Sequence, residues 1–557
     1  MNHSTQISTS TAVHGSTMSC FKRQYMATFF LLLICIPLMA KKMNVLFIPI
    51  DDLKPLMACY GYDQIHSPNI DRLASMGTVF MNNSCQQAIC GPSRASLMTG
   101  RYPHSTKVFD LYTKMRDVNP DILSIPQYFR QNGYDTTGIG KTYDPRCVDK
   151  FLDKPSWSIR YHKSNPFPED IGAPAGGTGG YRDPKVMAAN NKAAKLIKQM
   201  RATSRDKGKA YMRKKSKEIY RSIPFSKPTV ECADVPDTHY VDGNNTTKAL
   251  ELMQQLAKSD KPFFLSVGYS RPHLPFNAPK KYWDMYDRNK ISLTDKPGMI
   301  PGLPTWVYQF GTEMRQGYTE VPARRNLPED MKRELIHGYY ACVSYIDAQV
   351  GLLLDGLKEN GVKDNTIVCL WGDHGFHLGD HENWCKHSNF EEAVRSPLII
   401  AAPQQLQKGA KSESPVEFVD IFPTLCELAD LEIPSVLEGK SLVPQLNNAE
   451  AEVRKAAFHA YPRNGMPVDK MGYSLRSKRY RYVKWLQIDY KKNEKTGILV
   501  GTELYDYEKD PKETTNFADN SDYAKVVAMF EDEFKQRDIA QHRSVAKENF
   551  GLAAFLK

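Results

Sequence analysis

Short, wholly apolar runs that stop on acidic residues place the tightest limit on what this chain can fold into. "MNVLFIPIDD" runs without polar alternation and ends on Asp51 and Asp52. "YDTTGIGK", "KPFFLSVGY", "NTIVCLWGDHG" and "SPLIIAAP" repeat the pattern, and the third of these ends on Asp373 and His374. A strand with no polar face is buried on both sides, as in a parallel sheet covered by helices. The intervening segments supply those helices. "SPNIDRLASMG" has Ser67 and Pro68 at its start and Gly77 at its end, and "MKRELIHGYYACVSYIDAQVGLLLDGLKENG" and "VEFVDIFPTLCELADL" are longer apolar-faced segments. From about Glu450 the character changes. "KMGYSLRSKRYRYVKWLQIDY" and "GILVGTELYDYEKDP" read as antiparallel strands, and "DYAKVVAMFEDEFKQRDIAQ" as a closing helix. The expected organisation is α/β. A main region, 41–449, holds a large central mixed, mostly parallel sheet flanked by helices, and a smaller α+β subdomain with an antiparallel sheet fills 450–557.

The 557 residues suffice for a large core. Lys22 and Arg23 precede an apolar run from Ala27 to Ala40, too short for a comfortable membrane span and suited to the core of a signal peptide. Residues 1–40 are therefore expected to be a leader, and the mature protein to be exported, periplasmic or secreted, with no stable membrane span. Nine cysteines follow Ala40 without a CxxC pair, which argues against zinc ribbons and thioredoxin-type chemistry. Cysteines inside "TIVCLW" and "YYACVSY" read as small core residues. The net charge of +11 suggests an acidic partner. Much of it lies in a basic insertion, about 181–228, where fifteen Lys and Arg stand against three acids between Arg182 and Lys227. That insertion is either a solvated helical segment or a track for a polyanionic chain. Asn82, Asn244 and Asn245 match glycosylation sequons.

In open α/β sheets ligands bind beyond the carboxyl ends of the strands. Asp51, Asp52, Asp373 and His374 stand at two such ends and can converge on one divalent cation of the hard, oxygen-seeking kind. Taken singly, each pair also suits a solvated strand end. "QQAICGPSRASLMTGRYP" adds a cysteine, Cys90, at a helix start, with Pro92 in the first turn and Arg94 after it. A helix N-terminus offers free amides to an anion, and a guanidinium fork suits tetrahedral oxyanions. Cys90 could be a disulfide partner of Cys85, a thiol nucleophile, or the precursor of another group.

"CGPSR" with the following "TGR" resembles the signature of the type I, formylglycine-dependent sulfatases. "DDLKPLMACYG", "SPNIDRLASMGTVF", "NPDILSIPQYFRQNGY", "GYSRPHLPF", "GDHGFHLGDHENWCKHSNF" and "MGYSLRSKRYRYVKW" are most similar to the iduronate-2-sulfatase branch. The resemblance implies an alkaline-phosphatase-like sandwich with a smaller C-terminal subdomain. It implies that a maturation enzyme oxidises Cys90 to Cα-formylglycine. One hydroxyl of the hydrated aldehyde attacks sulfur and displaces the alcohol; loss of a proton from the other expels sulfate and restores the aldehyde. It further implies one calcium ion held by Asp51, Asp52, Asp373, His374 and the modified Cys90. Arg94, Lys141 and Lys386 would stabilise charge, and His273 would protonate the leaving oxygen. In "GIGKTYDPR", Asp144 stands where this branch has a histidine that takes the formylglycine proton, so Asp144 is the candidate base. The implied substrate is a sulfated polysaccharide or oligosaccharide, a 2-O-sulfated uronic acid or similar sugar, and nucleic acid is not expected. A phosphonate monoester or phosphodiester hydrolase of the same superfamily, and a noncatalytic polyanion-binding relative, are the alternatives.

Overall fold

The computed structural model describes residues 42–176, 180–295, 298–322, 326–463 and 469–543, so the expected leader lies outside the described residues. Through the first half the principal elements are β1 (Asn44–Ile50), α1 (Pro68–Met76), β2 (Thr78–Phe80), α2 (Cys90–Thr99), β3 (Asp135–Gly140), α3 (Pro184–Thr203), α4 (Gly208–Ser222), α5 (Val241–Ala257) and β4 (Phe263–Gly268). There follow α6 (Thr312–Gly317), α7 (Glu329–Glu359), β5 (Thr366–Gly372), β6 (Leu398–Ala401), β7 (Ala410–Ser412) and α8 (Ile421–Leu428). The C-terminal part adds β8 (Ala456–Arg463), β9 (Lys470–Ser477), β10 (Tyr480–Gln487), β11 (Thr496–Asp506), α9 (Ala524–Gln536) and β12 (Gln541–Arg543).

A seven-stranded sheet runs β7-β2-β6-β5-β1-β4-β3. Its pairs are parallel except where β6 meets β5 and β2, so the sheet is mixed and mostly parallel. The apolar runs are buried on both faces for a reason visible in their two-residue period. Leu46, Ile48 and Ile50 of β1 join one core with α1, α5 and α7. Val45 and Phe47 point the other way, into a second core with α2 and α8. Phe47 is fully buried, with its ring 5.4 Å from both Phe264 and Trp371; truncating it to alanine would cost about 3–5 kcal/mol. Cys342, Cys369 and Cys426 are buried members of these cores, as their apolar settings suggest. Gly77 closes α1 without a left-handed turn. Its role is clearance: a Cβ there would collide with the Ile400 carbonyl of β6.

The second sheet runs β8-β9-β10-β11-β12. It is antiparallel apart from its last pair, in which β12 lies parallel to β11. Phe530 and Phe534 of α9 pack onto it beside Tyr482. Its first strand is tied to the segment that precedes α2. The Ala460 amide donates to the Gln86 carbonyl at 2.9 Å, and His459 Nδ1 meets the Cys85 carbonyl at 2.7 Å. The basic insertion folds as the helices α3 and α4. The three sequon asparagines are buried; Asn82 donates to the Glu413 carbonyl and Asn244 to that of Asn165. Among the described residues no helix is long and apolar enough to cross a membrane.

Candidate active site

Four neighbouring parallel strands, β3-β4-β1-β5, deliver the site at their carboxyl ends. Ile50 of β1 is in register with Gly372 of β5, so the next residues, Asp51, Asp52, Asp373 and His374, emerge side by side. The Asp52 amide donates to Asp373 Oδ1 at 3.0 Å. The Asp51 amide donates to the Tyr269 carbonyl just past β4, which brings His273 to the same edge. The Lys141 amide donates to Gly268 at the end of β4, so β3 contributes Lys141. Asp52 has φ of 60°, and Cys385 and His387, which flank Lys386, have φ of 71° and 70°. Left-handed backbone at non-glycine residues costs about 1–3 kcal/mol each and persists where surrounding contacts force it, commonly at functional sites.

Cys90 opens α2, and all ten residues of that helix are buried. Its Sγ lies 3.5 Å from His374 Nε2. Burial, and then the charge of Asp51, push the thiol well above its ordinary pKa; Lys141 and Lys386 oppose this more weakly. A thiol held neutral is a poor nucleophile. The nine described cysteines are all free, and Cys85 turns its sulfur to the Ala393 carbonyl and His459, so neither the disulfide nor the thiolate reading of Cys90 is favoured.

Arg94, fully buried, spends its fork inside the protein. Nε donates to Asp373 Oδ2 at 2.9 Å, NH2 to Asp51 Oδ1 at 3.2 Å, and NH1 to the Lys141 and Thr142 carbonyls. Its guanidinium also stacks on Trp371, 5.3 Å from the ring centroid. It therefore fixes the carboxylates and leaves anion contact to other cations. Lys141 Nζ pairs with Asp51 Oδ2. Lys386 Nζ lies 2.9 Å from both oxygens of Asp52. Burial would raise the Asp51 carboxyl, but Lys141, His273 and Arg94 outweigh it and hold the group ionised. The His273 ring is oriented by its Nδ1 contact with the Leu274 carbonyl at 2.7 Å, leaving Nε2 3.9 Å from Asp52. Burial lowers its pKa, but Asp52 and Glu313 overcome this and raise it.

The same residues suit a metal. Ligand atoms of Asp51, Asp52, Cys90 and His273 lie within 4.8 Å of one another, as do those of Cys90, Asp373 and His374. Three buried carboxylates that now draw Arg94, Lys141 and Lys386 onto themselves form an oxygen-rich, charge-dense pocket, the donor set that a hard divalent cation requires.

Glu313, and the pairing of Asp144 with Arg146, were not indicated by the sequence motifs. Glu313 of α6 bridges His273 Nε2 and Lys386 Nζ, each at 3.1 Å. Asp144 is buried, but its carboxylate goes to Arg146, which donates from Nε at 2.9 Å, from NH2 at 2.6 Å and from its amide at 3.0 Å. These contacts, with the charge of Lys141, outweigh burial and lower the Asp144 pKa. Among the described residues, the hydrogen-bond partners of Asp144 do not include Cys90.

A mostly parallel sheet with a charged edge, followed by an antiparallel sheet, is the alkaline-phosphatase-like architecture, and the family match makes the chain a sulfuric ester hydrolase. The chain belongs to the sulfatase family: the model of that family matches residues 43–431, and that of the N-sulphoglucosamine sulphohydrolase C-terminal region matches 379–543. It is 31% identical to the iduronate 2-sulfatase of Mus musculus, over 87% of this chain and 92% of the relative, which places it in that branch. Among solved structures it resembles the phosphonate monoester hydrolase of Silicibacter pomeroyi, with TM-score 0.67 and 23% identity over 89% of this chain and 95% of the other. It also resembles a 2-O GAG sulfatase, with TM-score 0.60 and 22% identity over 89% and 93%. The two structural likenesses speak for the fold.

Proposed function

We propose that the chain hydrolyses a sulfate ester on a sulfated polysaccharide or oligosaccharide, a 2-O-sulfated uronic acid or a close analogue, as its mouse relative's name suggests. The observation that carries this reading is the convergence of Asp51, Asp52, Asp373, His374, Lys141, His273 and Lys386 around a buried, neutral Cys90 at a helix start. Cys90 is the residue to be converted to formylglycine by a maturation enzyme, which supplies a hydrated aldehyde as nucleophile. Asp51, Asp52, Asp373, His374 and modified Cys90 would hold one calcium ion, whose charge would lower the nucleophile's pKa and neutralise sulfate oxygens.

The chain's own residues do the rest. Lys141 and Lys386 carry fixed positive charge beside Cys90, where they would neutralise the negative charge of the sulfate oxygens. Arg94 holds Asp51 and Asp373 in place from beneath. His273, anchored through Nδ1, presents Nε2 to the pocket and hands its proton to the departing sugar oxygen. The leader of residues 1–40 would place this activity outside the cytoplasm.

Sulfate release from defined disaccharides tests the reading. A 2-O-sulfated uronate disaccharide should be turned over with kcat/KM well above N- or 6-O-sulfated counterparts and above a phosphonate monoester. Preference for the phosphonate would replace this reading with the hydrolase alternative.

A further inference from the structure

The basic insertion builds a groove of about 680 Å³. One wall is a single face of α4, where Lys209, Arg213, Lys217 and Arg221 recur at four-residue spacing. Arg201 from α3 and Lys227 beyond α4 complete a set of six cations, and the opposite wall is Gln316–Thr319. Among the described residues no carboxylate lines the groove and none of the six cations is in an ion pair. The segment Arg182–Lys227 carries net +12, fifteen bases less three acids, against +11 for the whole chain, so the other residues sum to −1. The molecule's excess charge is thus concentrated on one feature.

The cations crowd one another. Burial, followed by the charges of Arg213 and Arg221, lowers the pKa of Lys217. Burial and Lys217 do the same to Lys227. Ser216 Oγ, on the same face, is buried and has no hydrogen-bond partner among the described residues. Like charges gathered around an unpartnered hydroxyl leave a site that an anion would relieve. The groove also adjoins the catalytic pocket. Lys217 Nζ donates to Gln316 Oε1 at 2.9 Å and Arg221 NH2 to the Arg315 carbonyl at 2.8 Å. Both acceptors lie on α6, less than one turn from Glu313, which touches His273 and Lys386.

We propose that this groove is a second anion site that grips a sulfated stretch of the same polysaccharide chain whose ester lies at Cys90, making the protein selective for polymers over short oligosaccharides. The proposal rests on the sulfated-polysaccharide reading above. A sulfated glycan suits it better than a nucleic acid, because Lys227 lies over the rings of Tyr220 and Tyr318, 5.7 and 5.0 Å from their centroids, where bases would stack.

The test uses the full chain and a triple variant, Lys209→Gln, Arg213→Gln and Lys217→Gln. A matched control, Lys192→Gln, Lys195→Gln and Lys198→Gln, removes the same charge from the exposed side of α3. A tethered second contact raises apparent affinity by one or more orders of magnitude. The ratio of kcat/KM on heparin-type polymer to that on a sulfated disaccharide should therefore fall about 10-fold or more in the groove variant and stay within about 2-fold in the control. Binding to immobilised heparin should weaken in the same order. An unchanged ratio, equal losses in the two variants, or tighter binding of single-stranded DNA than heparin at equal salt would overturn the proposal. If no ester of the panel releases sulfate, the functional reading fails, yet heparin binding by the two variants still decides the groove.

Discussion

Asp144→Asn separates two roles for the residue at which this chain departs from its branch. In the folded protein the carboxylate is 1% exposed and its charge is met by Arg146, whose side chain is 50% exposed. Asparagine preserves shape and can still accept from the Arg146 amide and Nε, but turns an amide toward NH2. Hydrogen bonds to charged groups are worth about 1.5–3 kcal/mol, and the open side of Arg146 lets water replace part of that, so the expected loss is about 1–2 kcal/mol at pH 7. The sign with pH follows from the lowered pKa of Asp144. Its contribution is complete above the unfolded carboxyl value and is lost as pH falls through the folded one, so variant and parent should converge in acid. Urea unfolding at several pH values reads this. The same variant, mixed with substrate and quenched, reports on chemistry by the amount of sulfated Cys90 peptide. If Asp144 were the base that expels sulfate, its loss would make that species accumulate. With the carboxylate committed to Arg146, it should not. Accumulated sulfated enzyme, or unaltered stability at pH 7, would refute the structural role.

Glu313→Gln removes the carboxylate that bridges His273 and Lys386; at 3.1 Å its attraction to a protonated His273 is about 1.3 kcal/mol even in a water-like dielectric, so kcat on a substrate with a poor leaving group should fall about 10-fold while Glu313→Asp recovers part of it. Asp373→Asn strips a buried partner from Arg94 and should cost about 3–5 kcal/mol by urea unfolding, together with lost calcium affinity by calorimetry. Co-expression with a maturation enzyme should shift the Cys90 peptide by the mass of a thiol-to-aldehyde conversion and make it hydrazide-reactive; an active preparation with an alkylatable Cys90 would refute the nucleophile.

The strand ends were legible because a buried parallel strand announces itself as an unbroken apolar run, and the residues after it must fall at one edge of the sheet. The ends of β1 and β5 therefore put Asp51, Asp52, Asp373 and His374 together. Glu313 was not legible. It stands in a six-residue helix within a long irregular stretch, and its contacts with His273 and Lys386 join segments far apart in sequence. Arg146 lay two residues from Asp144 and could have been read as its partner from local geometry alone. The burial of Asn82, Asn244 and Asn245, and the parallel pairing of β12, depend on contacts distant in sequence.

The burial of α2 sets an order of events. Cys90 is 1% exposed, and the segment leading to it is fastened by Gln86 and Cys85 to β8, a strand made some 370 residues later. Any enzyme that alters Cys90 must meet "CGPSR" as an open peptide, before the last sheet arrives. The chance ends when the C-terminus folds home, and a molecule that closes unaltered keeps its thiol for as long as it stays folded.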